Sequence, residues 1–459
     1  MQLEKGTLEI LPAALRVLEE GFASLPAIDA PALDQKRMTE VMQQVAVRLW
    51  DNYPYFHPLY AGQMLKPPHP IARAAYALAT WINPNNHALD GGRASSAMEK
   101  EAVAEIAAMF GWQTHLGHLA SGGTMANLEA LWVAGQLHPG KKIAASAQAH
   151  YTHHRISSVL GLSFAELPCD PRGRMDTQAL ATRLAAGDIG CVVATLGTTG
   201  TGSVDPLPEI LRLRAQYGFR LHADAAYGGY FNLAGNLTEE TRAAYDPIGQ
   251  ADSIVVDPHK HGLQPYGCGC VLFRDPSVGA LYKHDSPYTY FTSSELHLGE
   301  ISLECSRPGA SAVALWATQK LLPLARAGEF ARGLEACREA AVSMAERLAA
   351  DSRWLVPFPP ELDIVVWAPR AESARLASER SQRIFTAAAH RGLHLALIRL
   401  PVRYFPTLKK PARFIGALPP ADSSDQETVL CLRSVLMKPE HREWLDQILA
   451  ILDTAFAAC

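Results

Sequence analysis

The sequence predicts an α/β protein with a seven-stranded, mostly parallel sheet that helices cover on both faces. Between residue 115 and about residue 275, short apolar segments alternate with longer segments of helical periodicity. This alternation implies right-handed crossovers between parallel strands. The seven predicted strands are HLGHLA, KIAASAQ, SFAELP, CVVATLG, RLHADAA, SIVVD and CGCVLFRD.

A smaller α/β unit is predicted after this sheet. The apolar-periodic stretch from Ala310 to Ala350 predicts one or two helices with a bend near Pro323. Strands are predicted at residues 363–368, 394–400 and 429–437, and helices at about 371–391 and 440–456. We therefore expect three parts: an N-terminal helical segment at 1–60, a large α/β domain at 61–310 and a small C-terminal α/β domain at 311–459.

The composition is that of an ordinary globular protein. Of 459 residues, 48% are apolar and 19% charged, and the net charge of −4 indicates no nucleic-acid partner. The eight cysteines lie far apart, and the close pair Cys268 and Cys270 has neither zinc nor thioredoxin spacing, so reduced thiols are expected. There is no secretory signal pattern and no apolar run long enough to span a bilayer. We expect a cytoplasmic protein that does not enter the membrane.

The segment SIVVDPHKHG contains the strongest candidate for covalent cofactor attachment, Lys260. Its first four residues predict a buried strand, which Asp257 and Pro258 end. His259 and Lys260 then lie at the carboxyl end of the strand, where open α/β sheets bind ligands. A lone lysine is usually a solvated surface charge, so this assignment depends on the neighbouring motifs.

Two other predicted strands also end in residues suited to a ligand. In LASGGTMANLEAL, Gly123 and Thr124 lie between a strand and a helix, which predicts an anion site at the helix N-terminus. The alternative is a tight turn with Thr124 as the N-cap. In RLHADAAYGGYF, Asp224 precedes small residues such as Ala226, so its carboxylate could lie beside a flat ring and pair with a protonated pyridine nitrogen. A buried structural aspartate is the alternative there.

Histidines and hydroxyls follow two more strands. His150, His153 and His154 come just after a strand, but no cysteine or carboxylate lies at ligand spacing beside them, so we predict no metal site. Stacking on an aromatic ring suits His150 better. In TLGTTGTGSVDP, Thr198 could donate a hydrogen bond to a polar ligand, or the segment could be an ordinary loop.

The order of these motifs resembles the fold type I pyridoxal 5′-phosphate (PLP) enzymes, and specifically the group II amino acid decarboxylases, from about Tyr55 to the end of the chain. The resemblance implies that Lys260 binds PLP covalently and that Asp224 keeps its ring nitrogen protonated. It also implies that Ala226 and His150 lie on opposite faces of the ring, with Thr198 near the ring substituents. The residues implied around the phosphate are Gly123, Thr124, Asp257 and His259.

The chain departs from the family pattern at Asp257, where many group II members have asparagine. A carboxylate beside a phosphate dianion is repulsive unless it is protonated or bridged by water. A direct contact between Asp257 and the phosphate therefore remains open, whereas the other positions match.

The resemblance also implies residues that bind substrate and move protons. Tyr290, or failing it Tyr288, corresponds to a loop tyrosine that protonates the substrate carbon, with His150 as the alternative donor. Arg433 corresponds to an arginine near the substrate carboxylate, although a surface salt bridge is an equal alternative. The segment 55–58, with Tyr55, Phe56, His57 and Pro58, corresponds to part of the substrate pocket.

The expected function is PLP-dependent decarboxylation of an L-amino acid, most consistent with an aromatic substrate. The family builds its active sites at a dimer interface, so a homodimer is expected. Three alternatives remain open: a decarboxylase of acidic amino acids, a PLP-dependent aldehyde lyase, and a non-catalytic protein that keeps the fold.

Overall fold

The computed structural model describes residues 4–29, 32–283, 297–408 and 428–459. Two sheets organise these residues, one of seven strands and one of four. A single cluster of buried apolar side chains joins them, with Val192 and Leu221 from the large sheet and Ile364 and Val429 from the small one. The two sheets therefore share one continuous hydrophobic core. Within the described residues, no helix combines the length and apolar character needed to cross a membrane.

The large sheet confirms the predicted seven-stranded, mostly parallel architecture. Its order is β1-β7-β6-β5-β4-β2-β3, with parallel pairing from β6 through β3 and β7 antiparallel to both of its neighbours. The strands β4, β6 and β7 are buried along their whole length, as expected when helices cover both faces. The strands are β1 Leu116–Ala120, β2 Lys142–Ser146, β3 Phe164–Leu167, β4 Ile189–Thr195, β5 Arg220–Asp224, β6 Ser253–Val256 and β7 Gly269–Phe273.

The small sheet is antiparallel, with the order β10-β11-β9-β8. Three of its strands match the predictions, whereas the two-residue β8 was not predicted because so short a segment has no periodicity. These strands are β8 Trp354–Leu355, β9 Ile364–Pro369, β10 Ala396–Pro401 and β11 Thr428–Val435.

The helices fall largely where the periodicity predicts them. The stretch from Ala310 to Ala350 forms two helices, and Pro323 lies in the break between them. The helix that ends at Tyr217 is followed by Gly218, whose φ of 70° favours glycine. The helices are α1 Gly6–Gly21, α2 Gln35–Leu49, α3 Pro70–Thr80, α4 Leu89–Met109, α5 Gly123–Leu137, α6 Thr152–Val159, α7 Thr177–Leu184, α8 Leu207–Tyr217, α9 Glu239–Tyr245, α10 Gly309–Leu321, α11 Glu329–Ala350, α12 Ala374–Ala389 and α13 His441–Ala457.

The N-terminal helix α2 buries none of its residues against the rest of the chain. Its apolar side chains nevertheless recur at helical spacing, so that one face carries a continuous apolar stripe. The stripe consists of Met38, Val41, Met42, Val45 and Leu49, all of them exposed. Such a face gains little stability in water, because most helices depend on packing of their apolar side.

Candidate active site

A cavity of about 310 Å³ lies at the carboxyl edge of the parallel strands of the large sheet. The segments that line it follow β1, β2, β4, β5 and β6, as the strand-end motifs predict. Every residue predicted to bind the cofactor, Thr198 excepted, lines this one cavity. These residues are Gly123, Thr124, His150, Asp224, Ala226, Asp257, His259 and Lys260.

Lys260 lies in the turn that follows β6. Pro258 lacks an N–H and ends the strand, and the Lys260 N–H donates to the Asp257 carbonyl oxygen at 2.9 Å. The Lys260 Nζ lies 2.9 Å from Asp257 Oδ2, and His259 Nε2 lies 3.5 Å from the same oxygen. The Asp257 Oδ1 atom is buried and has no hydrogen-bond partner among the described residues. The turn therefore holds the Lys260 amine at the cavity beside a carboxylate with unused acceptor capacity.

Asp224 ends β5, and its side chain is almost completely buried where it meets the cavity. The Oδ2 atom lies 2.7 Å from His153 Nε2, and Oδ1 accepts the Ala226 N–H at 3.2 Å. Burial alone would raise the pKa of Asp224, but the hydrogen bond and charge of His153, with smaller contributions from His222 and Lys260, hold that pKa below its ordinary value. Asp224 therefore presents an ionised carboxylate to the cavity.

The first turn of α5 forms the wall that faces Asp257. Gly122 is the N-cap of this helix and no side chain caps it, so the alternative that made Thr124 the N-cap is wrong. At Gly123 an added Cβ would lie 2.5 Å from Asp257 Oδ2, so any other residue would force that carboxylate to move. Uncapped N–H groups and the positive end of the helix dipole make this wall suitable for a phosphate group.

The three histidines after β2 have different surroundings. His150 lines the cavity, and burial, assisted by the charge of Lys260, lowers its pKa, so that the neutral ring is favoured. His153 binds Asp224, whereas His154 is exposed and contacts the ring of Phe164 edge-on at 5.4 Å. Across the parts of the chain that are described, no group of three or more potential ligands could hold a metal ion.

The structure does not place Thr198 at the cavity. Its hydroxyl is fully buried, lies 2.7 Å from Thr201 Oγ1 and accepts the Ser203 N–H at 3.1 Å. The loop turns at Gly197, whose φ of 99° favours glycine, and this turn directs Thr198 into the loop itself. Thr195 and Thr199 line the cavity instead, and Thr195 Oγ1 has no hydrogen-bond partner among the described residues.

Arg433 is not on the surface, and it does not itself line this cavity. It is buried in β11, and its guanidinium donates to the carbonyl oxygens of Thr199, Gly200 and Gly62 at 2.6, 2.9 and 3.2 Å. It also donates to Gln63 Oε1 at 3.2 Å. A surface salt bridge is therefore wrong, and the side chain is not among those that line the cavity. Its effect is to fix the loop at Thr199, which does line it.

The segment 55–58 does not reach this cavity within one chain. Tyr55 packs edge-on against Tyr60 at 4.9 Å, and the His57 ring packs against Trp444 at 4.7 Å. Phe56 lines a different cavity, and Pro58, the last residue of the segment, is half-buried. The loop candidates Tyr288 and Tyr290 lie outside the described residues.

Three residues at the site were missed by the sequence reasoning. His153 was considered only as a metal ligand, although a histidine one turn after His150 could have been tested as a partner for Asp224. Thr195 pairs in register with Asp224 at the ends of β4 and β5. Tyr227 lines the cavity directly after Ala226, and its Oη donates to Asp363 Oδ1 at 2.5 Å.

The residues around the cavity fit PLP. They supply an amine, an ionised carboxylate, the small side chain of Ala226, the neutral ring of His150 and the N-terminus of α5. Thr195 also lines the cavity, and its Oγ1 adds a hydroxyl that has no hydrogen-bond partner among the described residues. Each chemical group of PLP therefore has a complementary group in the cavity. Asp257 Oδ1 does not complement the phosphate group of PLP, because this unpartnered carboxylate oxygen needs a hydrogen-bond donor and a phosphate oxygen is an acceptor.

Comparison with known proteins supports this interpretation. The family model for the pyridoxal-dependent decarboxylase conserved domain matches residues 25–369. The chain is 28% identical over 415 residues to an L-tyrosine decarboxylase of Enterococcus faecium, covering 68% of this chain and 67% of that protein. It is 32% identical over 229 residues to a probable L-aspartate decarboxylase of Halobacterium salinarum, covering 50% of this chain and 62% of that one.

The fold is also similar to that of solved structures. The crystal structure of Oryza sativa TDC with PLP and tryptamine superimposes with a TM-score of 0.77 at 16% identity, covering all of this chain and 99% of the other. At that identity the likeness concerns the fold alone, and it agrees with the fold type I architecture expected from the motifs. The family match extends over most of the chain and includes every strand-end motif at the cavity. The chain thus belongs to the pyridoxal-dependent decarboxylases and is a PLP-dependent amino acid carboxy-lyase.

Proposed function

We propose that this enzyme decarboxylates an aromatic L-amino acid to the corresponding amine. The observation that carries the proposal is the charge of the cavity: among the described residues that line it, Lys260 is the sole lysine or arginine. A substrate with an acidic side chain needs a cation to bind its second carboxylate, because a buried unpaired charge is costly. An aromatic side chain has no such requirement.

PLP, when bound, supplies the imine and the pyridinium that delocalise the electrons left by the departing carboxylate. We propose that Lys260 binds it covalently and that the Asp224 carboxylate keeps a proton on its ring nitrogen. Ala226 and the neutral ring of His150 pack on its faces. The first turn of α5, with Gly123 and Thr124, binds its phosphate.

Two other residues of this turn support the covalent attachment. Asp257 holds the Lys260 Nζ at 2.9 Å, and His259 lies beside the same carboxylate. We propose that Asp257 orients the amine and does not contact the phosphate directly, because the two anions would repel each other. His259, whose pKa is lowered by burial, is left neutral and can donate from one ring nitrogen to the phosphate.

The proton that replaces the carboxylate needs a donor near the substrate α-carbon. We propose Tyr290 for this step, on the basis of its position in the sequence after Lys260, with Tyr288 and His150 as alternative donors. A tyrosine hydroxyl can give a proton to a carbanion at neutral pH because its ordinary pKa is about 10.

We propose that the enzyme is a homodimer with active sites at the interface, working in the cytoplasm. The exposed apolar stripe of α2 supports the dimer, since a second copy would bury it. The aromatic segment 55–58 could then contribute to the partner's substrate pocket. Eight unpaired cysteines are consistent with a reducing compartment. A monomer mass in sedimentation velocity would contradict the dimer.

A second candidate is decarboxylation of aspartate or glutamate. Its supporting observation is Arg433, whose guanidinium lies behind the cavity loop at Thr199 and would need only a loop movement to approach the cavity. In the structure, however, this guanidinium already makes four hydrogen bonds. Releasing it would leave backbone carbonyls unpaired, and this cost favours the aromatic substrate.

Steady-state kinetics with L-tyrosine, L-tryptophan and L-phenylalanine against L-aspartate and L-glutamate tests the proposal. We expect kcat/KM for the best aromatic substrate to exceed that for either acidic one by at least about a hundredfold, since an unpaired buried carboxylate costs several kcal/mol. A higher value for an acidic substrate would overturn the proposal. Arg433→Gln serves as the matched variant, because it should abolish acidic activity if Arg433 binds that substrate.

A further inference from the structure

A second cavity, of about 670 Å³, lies where the helices α3, α11 and α13 begin. Four basic and two acidic side chains line it, so its lining has a positive excess. The basic ones are Lys66, Arg332, Lys438 and Arg442, and the acidic ones are Glu329 and Glu440. None of these residues lines the cavity that contains Lys260.

Two lysines of this second cavity lack a carboxylate partner. Lys438 is only 4% exposed, and its Nζ donates to the Tyr60 carbonyl oxygen at 2.6 Å. Lys66 donates to the Met437 carbonyl oxygen at 3.2 Å. Neither forms an ion pair with an acidic side chain among the residues the structure describes, and each ammonium has three N–H donors. A buried cation without a counter-ion destabilises a protein.

The pKa of Lys438 reflects the unfavourable burial of its charge. Burial, with the neighbouring charge of Lys66, lowers this pKa to about 7. The two lysines therefore bring N–H donors to this cavity that no carboxylate among the described residues accepts.

Three helix N-termini add to the positive potential. Pro70 and Glu329 are the first residues of α3 and α11, and Glu440 is the N-cap of α13; all three line the cavity. The N-termini of α11 and α13 receive no side-chain cap. Each N-terminus is equivalent to roughly half a positive charge. The two glutamates offset part of this potential, but neither forms an ion pair with Lys66 or Lys438.

We propose that this cavity binds a small, doubly charged oxyanion of the phosphate or dicarboxylate class, with Lys438 and Lys66 as its main ligands. Such an anion favours the protonated form of both amines, supplies their counter-charge, and accepts their unused N–H donors with its oxygens. The site differs from that of the PLP phosphate, which we assign to the N-terminus of α5.

Calorimetric titration of the holoenzyme tests the proposal. The cofactor is first fixed by borohydride reduction and free PLP is removed, so that phosphate cannot enter the cofactor site. Inorganic phosphate and succinate are then titrated separately against sodium chloride of equal ionic strength. We expect saturable binding of at least one of them. Binding of phosphate alone would assign the phosphate class, and binding of succinate alone the dicarboxylate class.

Three variants locate the binding. Lys438→Met and Lys66→Met should each weaken it by at least about tenfold, as expected for the loss of a charge-assisted hydrogen bond. Lys320→Met is the control, because Lys320 is exposed and pairs with Glu105 elsewhere on the surface. Without anion, the melting temperature of Lys438→Met should equal or exceed that of the wild type, which shows that the variant folds. Absence of saturable binding, or equal binding by all variants, would overturn the proposal.

Discussion

Asp224 Oδ2 and His153 Nε2 lie 2.7 Å apart, and both side chains are almost completely removed from solvent. This pair explains how a carboxylate remains ionised in a buried position at the end of β5. We therefore expect His153 to position Asp224 for the cofactor without itself touching the substrate.

Replacing His153 by leucine should therefore weaken PLP binding. Without the hydrogen bond and charge of His153, burial dominates and raises the pKa of Asp224. We expect the dissociation constant of PLP to rise at least about tenfold, the equivalent of one hydrogen bond to a charged group. Spectroscopic titration of the apoenzyme measures it. The exposed neighbour provides the control, since His154→Leu should leave the constant unchanged.

The same pair predicts a difference in acid stability. In the wild type the folded-state pKa of Asp224 is lowered, so its contribution is present above the unfolded value of about 3.9 and is lost as pH falls below it. In His153→Leu the folded pKa is raised above the unfolded value, so the ionisation of Asp224 should destabilise the variant as pH rises above about 3.9. Denaturant unfolding of both apoenzymes between pH 3 and 7 gives the slope of the unfolding free energy against pH for each. Identical slopes would mean that His153 does not control the pKa of Asp224.

The sequence alone predicts that the strand-end motifs form one site, because the carboxyl ends of parallel strands meet at one edge of a sheet. Asp224 and Lys260 were predicted to meet for this reason. The direction of Thr198 could not be predicted, since it depends on the backbone turn at Gly197. The partners of Arg433 lie more than two hundred residues away in the chain and follow from the packing of β11 on a loop, which no local pattern encodes.

Gly123→Ala should disturb the cofactor site without unfolding the protein. The added Cβ would lie 2.5 Å from Asp257 Oδ2, so that carboxylate must move, and Lys260 with it. Overpacking of this kind typically costs about 1–3 kcal/mol. We expect PLP affinity to fall about tenfold or more.

Gly333→Ala is the control for this substitution. Gly333 lies within α11, and an added Cβ would lie at an ordinary 3.7 Å from Pro439 Cγ. Equal PLP affinity in the two alanine variants would show that the close approach at Gly123 does not matter.

Tyr290→Phe should separate substrate binding from proton delivery. If the Tyr290 hydroxyl protonates the substrate carbon, the variant should bind substrate with little change, while amine formation falls by about a hundredfold to ten-thousandfold, the usual contribution of general acid catalysis. Tyr288→Phe should have a much smaller effect. Binding is followed by the change in cofactor absorbance and amine by chromatography. A double Phe variant with near wild-type amine production would transfer the role to another donor, with His150 the first to test.

Lys260, beside Asp257 and in the same cavity as Asp224, is the residue that we propose binds the cofactor. Borohydride reduction of the holoenzyme followed by peptide mass spectrometry measures this directly. We predict that the pyridoxyl group is found on the peptide containing Lys260, and that Lys260→Ala folds, carries no covalent cofactor and has no decarboxylase activity. Modification of a different lysine in the wild type, or appreciable activity in Lys260→Ala, would contradict the account.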